Sequence, residues 1–236
     1  MKILKKLLIL ILLLGIVSGA VLFGMGYTRS KRELEELPLA ETVEKYTKRE
    51  SYVPFEEIDE DFVNAVIAVE DKRFFERKGY DVIALCRALY HNLLARDLVE
   101  GGSTISEQIA KNLYLDSKVT SLEDKMAEIF IMEKLETSYS KEFLFALYAN
   151  MNYYGDGFWG IKQAAMGYFG KETDDLTLAE AAMLAGIPNA PAIYQLSTGY
   201  EKAKKRQEWV LSTMVRSGYI SEEEKEAAVN EEIYPH

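Results

Sequence analysis

Residues Ala65–Gly79 read AVIAVEDKRFFERKG, and the organisation of the rest of the chain follows from this stretch. Ile58, Phe62, Val66 and Val69 recur at helical spacing behind two candidate caps, Asp59 and Asp61, which predicts a short amphipathic helix ending near Glu70. A carboxylate at a helix C-terminus meets the negative end of the helix dipole, which opposes its ionisation, whereas Lys72, Arg73 and Arg77 favour it. Glu70 therefore reads in two ways: as an exposed acid before a surface turn, or as a tuned carboxylate on the rim of a catalytic cleft.

Outward from Glu70 the chain is helical in pattern almost without interruption. No apolar/polar alternation bounded by hairpin turns stands out after residue 58, so the fold class is mainly α. With 236 residues, 48% hydrophobic and 28% charged, the chain can build one real core. The formal net charge of −10 argues against a nucleic-acid partner. Part of that acid lies in SEEEKEAAVNEE, which reads as a solvated helix face. Cys86 is the single cysteine, so no internal disulfide can form.

The N-terminus carries a run without charge from Leu7 to about Met25, long enough to cross a bilayer as a helix. A cleavable signal would have a shorter apolar core ending in a small-x-small site, and Ser18-Gly19-Ala20 is embedded in the run instead. The reading is an uncleaved membrane anchor over 1–27, then a connector over 28–57, then the main domain over 58–236. Lys2, Lys5 and Lys6 before the span balance Arg29, Lys31 and Arg32 after it, so charge leaves the orientation open.

Beyond Glu70, the segment Tyr80 to Leu98 sets leucines at helical spacing, either as a core-packed helix or as a face that dips into the membrane interface. His91 has no metal-binding company and reads as structural. In EGGSTISEQIAKNLYL, Gly101 and Gly102 precede Thr104, which with Glu107 forms a capping-box pattern at a helix start. Thr104, Gln108 and Lys111 then share one face, a line of hydroxyl, amide and ammonium suited either to a pyrophosphate or to an ordinary capped surface helix. Lys125 and Glu128 stand one turn apart in LEDKMAEIFIMEKLE, the spacing of a surface ion pair. Ser140 is placed to cap a helix through Tyr153, Thr177 with Glu180 and Ser221 with Glu224 to cap two more, and another helix is expected over Ala203 to Met214. Glycines 155, 157 and 160 break the chain among aromatic residues that could pack or stack on sugar rings.

Five segments in order, EDKRFFERKG, GGSTISEQIAKN, KMAE, LYANMNYYGDGFWGI with AAMGYFGK, and LAEAAMLAGIPNAP, resemble the motifs of the bacterial peptidoglycan glycosyltransferases, glycosyltransferase family 51, in the short form with one anchor. The resemblance implies a lysozyme-like glycosyltransferase domain behind one N-terminal transmembrane helix, on the outer face of the cytoplasmic membrane. It implies polymerisation of lipid II into β-1,4-linked glycan strands, inverting at the anomeric carbon, with release of undecaprenyl pyrophosphate. Glu70 matches the base on the acceptor hydroxyl and Glu128 the second essential carboxylate, on the donor side. Ser103, Thr104, Gln108 and Lys111 match the motif that holds the donor phosphates, and Lys125, Asn150 and Gly155 fall within motifs that bind substrate. No cofactor is required by the resemblance beyond a divalent ion, Mg2+ or Mn2+, left open beside Glu128. Its partners are lipid II, the growing glycan chain, the membrane and other cell-wall synthesis proteins.

The chain departs from the family pattern at Arg77 (usually His), Glu107 (usually Gln), Asp124 (usually Arg) and Ala146 (usually Glu). The first two alternatives to polymerisation are a lysozyme-like glycan hydrolase, which also uses two carboxylates on a helical fold, and a non-catalytic scaffold that binds lipid II. The pyrophosphate-suited helix and the anchor speak against the hydrolase. SYSK, Ser138 to Lys141, matches a transpeptidase Ser-x-x-Lys, but the chain has no KTG partner for it.

Overall fold

The structure is a computed structural model that describes residues 2–77, 103–115 and 119–233. Its helices, numbered in order over those residues, are α1 (Lys2–Glu36), α2 (Leu39–Thr47), α3 (Glu60–Glu70), α4 (Ile105–Tyr114), α5 (Leu122–Ser138), α6 (Lys141–Met151), α7 (Ile161–Phe169), α8 (Leu178–Gly186), α9 (Pro191–Tyr194), α10 (Leu196–Ser217) and α11 (Glu222–Asn230). Among the described residues there is no strand, only an isolated bridge between Tyr153 and Trp159. The mainly α class expected from the sequence is the one found. The Tyr80–Leu98 segment, with Cys86 and His91, and Gly101 and Gly102 lie outside the described residues.

At 35 residues, α1 is about 52 Å long, against a bilayer core of about 30 Å. It is long and apolar enough to cross a membrane, and none of its most apolar window is covered by protein. The far end therefore has to stand clear of the hydrocarbon, and there it packs on α5. Gly26 makes this approach possible: a Cβ at that position would lie 2.3 Å from the Met126 Cβ. Phe23 and Tyr27 meet Phe130 edge-on, at 4.8 and 5.4 Å between ring centroids, and the Arg29 guanidinium ion-pairs with Asp124. Within the segment 28–57, Val43 and Val53 are buried in the core, and α2 packs on α6.

The local signals act largely as read. Asp59 rather than Asp61 caps α3, accepting from the Phe62 N–H at 3.1 Å, and reciprocal capping boxes start α8 and α11. A further box, Ser121 with Asp124, starts α5; its Ser-x-x-Asp pattern was legible but is not among the expected caps. Two bounds differ. The Ser140 helix stops at Met151, because Asn152 turns to extended geometry. The helix expected from Ala203 to Met214 runs from Leu196 to Ser217, with one non-helical residue at Gly199.

Two layers position the functional side chains. Helix α3 packs against α8 and α10, while α4 packs against α5 and α6. An aromatic cluster centred on Phe145 joins the layers: Phe55, Phe62, Phe74 and Phe75 all surround it within 6.5 Å. Phe62, Phe74 and Phe145 are fully buried, so the turn that follows Glu70 is anchored to the core by its own phenylalanines.

Candidate active site

Glu70 is the last residue of α3, and the backbone leaves the helix at Asp71. It stays partly exposed on one side. On the other it is enclosed, and burial raises its carboxyl pKa above the ordinary value of 4.5. A hydrogen bond from Gln108 and the charges of Arg206 and Lys111 pull in the opposite direction without overcoming burial. The contact from Gln108 Nε2 to Glu70 Oε2 is 2.6 Å.

The expectation that Lys72, Arg73 and Arg77 supply the favourable charge is corrected here. Arg77 folds back on the turn and pairs with Asp71 at 2.7 Å and with Glu136 at 2.6 Å. Glu136 also accepts from Ser106 at 2.6 Å and pairs with Lys141 at 2.7 Å. Burial opposes its ionisation, but Lys141, Ser106 and Arg77 hold its pKa below the usual range. This brace ties the turn after Glu70 to α4, α5 and α6. The cations that do act on Glu70 are Lys111 of α4 and, with the larger effect, Arg206 of α10, nearly 140 residues away in sequence. Its guanidinium lies 4.0 Å from the Trp209 ring centroid, and its buried Nε has no protein hydrogen-bond partner. Gly186 leaves it room, since a Cβ there would lie 2.8 Å from the Arg206 Cγ. No short-range pattern marks Arg206, because its neighbours on α10 are read as an ordinary amphipathic helix.

Helix α4 is the central strut. Thr104 caps it by accepting from the Glu107 N–H at 3.2 Å, and Ser103 is half-buried just before the cap. The expected capping box is only half formed, because the Glu107 carboxylate is taken by Lys125, at 2.7 Å. The expected line of Thr104, Gln108 and Lys111 is likewise divided by its partners. The Thr104 hydroxyl is buried in the cap, Gln108 turns to Glu70, and Lys111 stays half-exposed with its charge felt at Glu70.

Glu128 is buried on α5, and the Lys125 Nζ sits 2.5 Å from its Oε1. The pair is therefore not the exposed one its spacing suggested. Burial raises the Glu128 pKa, Lys125 lowers it, and the nearby Glu107 raises it again, for a net rise. On Lys125 burial opposes the charge, but Glu107 and Glu128 outweigh it and raise its pKa. Glu107 and Gln108, consecutive on α4, thus reach the Glu128 and Glu70 sides respectively. Among the described residues no group of three or more His, Cys, Asp or Glu side chains is placed to hold a metal. The carboxylates of Glu107 and Glu128 share the Lys125 ammonium.

Asn150 and Gly155, which the motifs mark for substrate, have local structural partners. Asn150 is buried and joins α6 to the connector: its Nδ2 donates to the Val53 and Ala146 carbonyls at 2.7 and 2.8 Å, and its Oδ1 accepts from the Val53 N–H at 2.9 Å. Gly155 has φ +81°, and a Cβ there would lie 2.5 Å from the Gln195 Cβ. It forms the turn that seats Asp156 against Ser197 and Tyr168. Neither residue is brought to Glu70 or Glu128 by a direct contact. The departures are also accounted for locally: Arg77 serves the brace, Asp124 the α5 cap and Arg29, and Ala146 packs in the core.

Fold and site together define a helical domain, behind an apolar helix, in which the candidate carboxylates Glu70 and Glu128 are linked through one strut helix. Residues 35–215 match the family model described as transglycosylase, and the chain belongs to that family. It is 44% identical over 184 residues to penicillin-binding protein 1F of Bacillus subtilis (strain 168), covering 78% of this chain and 26% of that protein. It is 42% identical over 182 residues to penicillin-binding protein 1A of Aquifex aeolicus (strain VF5), covering 77% of this chain and 25% of that one. The chain thus spans about a quarter of the length of these relatives. A crystal structure of penicillin-binding protein 1A from Haemophilus influenzae is similar at TM-score 0.45 and 22% identity, covering 78% of this chain and 18% of that chain.

Proposed function

We propose that this protein is a peptidoglycan glycosyltransferase that polymerises lipid II into β-1,4-linked glycan on the extracytoplasmic face of the membrane that α1 crosses. The observation that carries the reading is Glu70, a carboxylate whose proton affinity is raised by burial while Gln108, Arg206 and Lys111 hold it from the other side. A base for a sugar hydroxyl has to be ionised before attack and able to keep the proton afterwards, and a raised carboxyl pKa serves both needs.

In the step so derived, the acceptor 4-hydroxyl gives its proton to Glu70 as its oxygen bonds the donor's anomeric carbon. The bond from that carbon to the lipid pyrophosphate breaks on the opposite face, so the configuration inverts and the electron pair leaves with the pyrophosphate. Lys111 and Lys125 supply positive charge to the leaving group, and Glu128 holds Lys125 in place. Family membership and the apolar helix support this reading over a hydrolase, which needs no charge on a pyrophosphate.

The test is polymerisation of labelled lipid II by the detergent-solubilised full-length protein, with and without moenomycin, beside Glu70→Gln. Glycan ladders that disappear in both controls are expected. A wild type that cleaves preformed glycan and leaves lipid II intact would establish the hydrolase instead.

A further inference from the structure

The Glu107–Lys125–Glu128 cluster has more acid than its ammonium can balance. Glu107 and Glu128 are both 2% exposed, they lie on different helices, and they hold the same Nζ at 2.7 and 2.5 Å. Lys125 is the accessible member, with 32% of its side chain exposed. Two of its three N–H directions are therefore committed inward, and only the remainder faces outward. With both acids ionised the cluster carries a net charge of −1, and an incoming phosphate has to share Lys125 with a carboxylate that cannot turn away into water.

Beyond Lys125, the Glu107 carboxyl meets the Glu128 carboxyl, an acid-to-acid contact that disfavours ionisation of Glu128. The α4 cap is made by its backbone N–H, and its side chain does not return to complete the capping box. Glu128 already orients Lys125 from within α5, one turn away. The second carboxylate thus adds a cost to anion binding without adding a direction that Glu128 does not supply.

Resting on the glycosyl-transfer reading above, we propose that Glu107 sets the affinity of the pyrophosphate donor by competing with it for Lys125. It is an affinity-determining residue that keeps the donor weakly held, so that strand and lipid can exchange between turnovers. In a partly buried site a like charge a few ångströms from an anion weakens its binding well beyond the effect at an exposed position.

The experiment compares Glu107→Gln, which keeps the shape and removes the charge, with Glu107→Asp, which keeps the charge. Binding of fluorescently labelled lipid II is measured in detergent by anisotropy in a Glu70→Gln background, so that nothing turns over, and steady-state polymerisation is measured in the otherwise wild-type protein. Glu107→Gln is expected to bind about threefold or more tighter and to lower KM by a similar factor, with a smaller change in kcat; Glu107→Asp, whose carboxylate is one methylene shorter and holds Lys125 less closely, is expected to fall between wild type and Glu107→Gln. Unchanged or weaker binding in Glu107→Gln, with a normal unfolding transition, overturns the proposal. If Glu107→Gln does not fold, Glu107→Ala is measured in its place, and unchanged or weaker binding by that variant overturns the proposal. Tighter binding by Glu107→Gln without any polymerisation by wild type upholds the role of Glu107 and removes the transferase reading alone. No binding by any variant removes both.

Discussion

Gln108 Nε2 and Glu70 Oε2 lie 2.6 Å apart, which joins the end of α3 to the middle of α4 through a single amide. That amide favours the ionised carboxylate against a stronger opposing effect of burial. The consequence is a carboxylate that gains its charge only at a pH above the ordinary glutamate value. The acid limb of kcat/KM should accordingly sit above 4.5, the ordinary value, with activity rising as pH rises through it. Glu70→Gln should lower kcat/KM roughly 10²–10⁴-fold, the usual contribution of a positioned base.

The same residue carries a stability cost. An acid whose folded-state pKa is raised stabilises the fold when protonated and weakens it once ionised. Glu70→Gln should therefore raise the unfolding temperature slightly at pH 8, and this gain should vanish as pH falls below the ordinary carboxylate value, where Glu70 is protonated in both the folded and the unfolded chain. Scanning calorimetry across that range checks the sign; a lower unfolding temperature for the variant at pH 8 would contradict it.

Arg206 should matter most at low pH. Its charge lowers the Glu70 pKa, so Arg206→Ala raises that pKa further and moves the acid limb of the polymerisation profile upward. The deficit should be larger at pH 6 than at pH 8.5. A variant equally impaired at both would point to a packing role beside Trp209 instead.

Asn150→Ala removes the partners of both the Val53 N–H and C=O, which are buried where water cannot replace them. It should cost about 2–4 kcal/mol in urea unfolding. Lipid II affinity, corrected for the unfolded fraction, should stay close to wild type.

Gly155→Ala places a side chain at φ +81°, with its Cβ against Gln195. A destabilisation of about 1–3 kcal/mol is expected from the backbone strain, and more from the clash. The unfolding midpoint of Gly157→Ala should fall less: its φ is +88° but a Cβ there has open space.

The contact of α1 with α5 rests on Gly26. Gly26→Leu has no room against Met126, so α1 should shift away from α5 and separate Arg29 from Asp124. Spin labels at positions 31 and 133 in a Cys86→Ser background would report a longer and broader distance distribution by pulsed electron resonance. An unchanged distribution would mean that the contact takes up the leucine without separating the helices.

Several features were legible before any tertiary structure because their causes are local. The apolar run of α1, the caps Asp59, Thr177 and Ser221, and the helical spacing around Phe62 all act within a few residues, through desolvation and unpaired backbone N–H groups. The family motifs likewise marked Glu70, Gln108, Lys111, Lys125 and Glu128 as residues to watch. Their pairings were not legible. Arg77 is close to Glu70 in the chain but turns to Asp71 and Glu136, whereas Arg206 is distant and faces it. Glu107, which by spacing should have closed a capping box, is drawn instead to Lys125 of the next helix. Asn150 and Gly155, marked by their motifs, hold backbone together. The sequence by itself determined which segments become helices and marked which carboxylates and cations to examine, since those depend on near neighbours and residue type. Only the tertiary structure decided which charge meets which, because a buried ion pair is chosen by helix packing and by the cost of leaving either partner without the other.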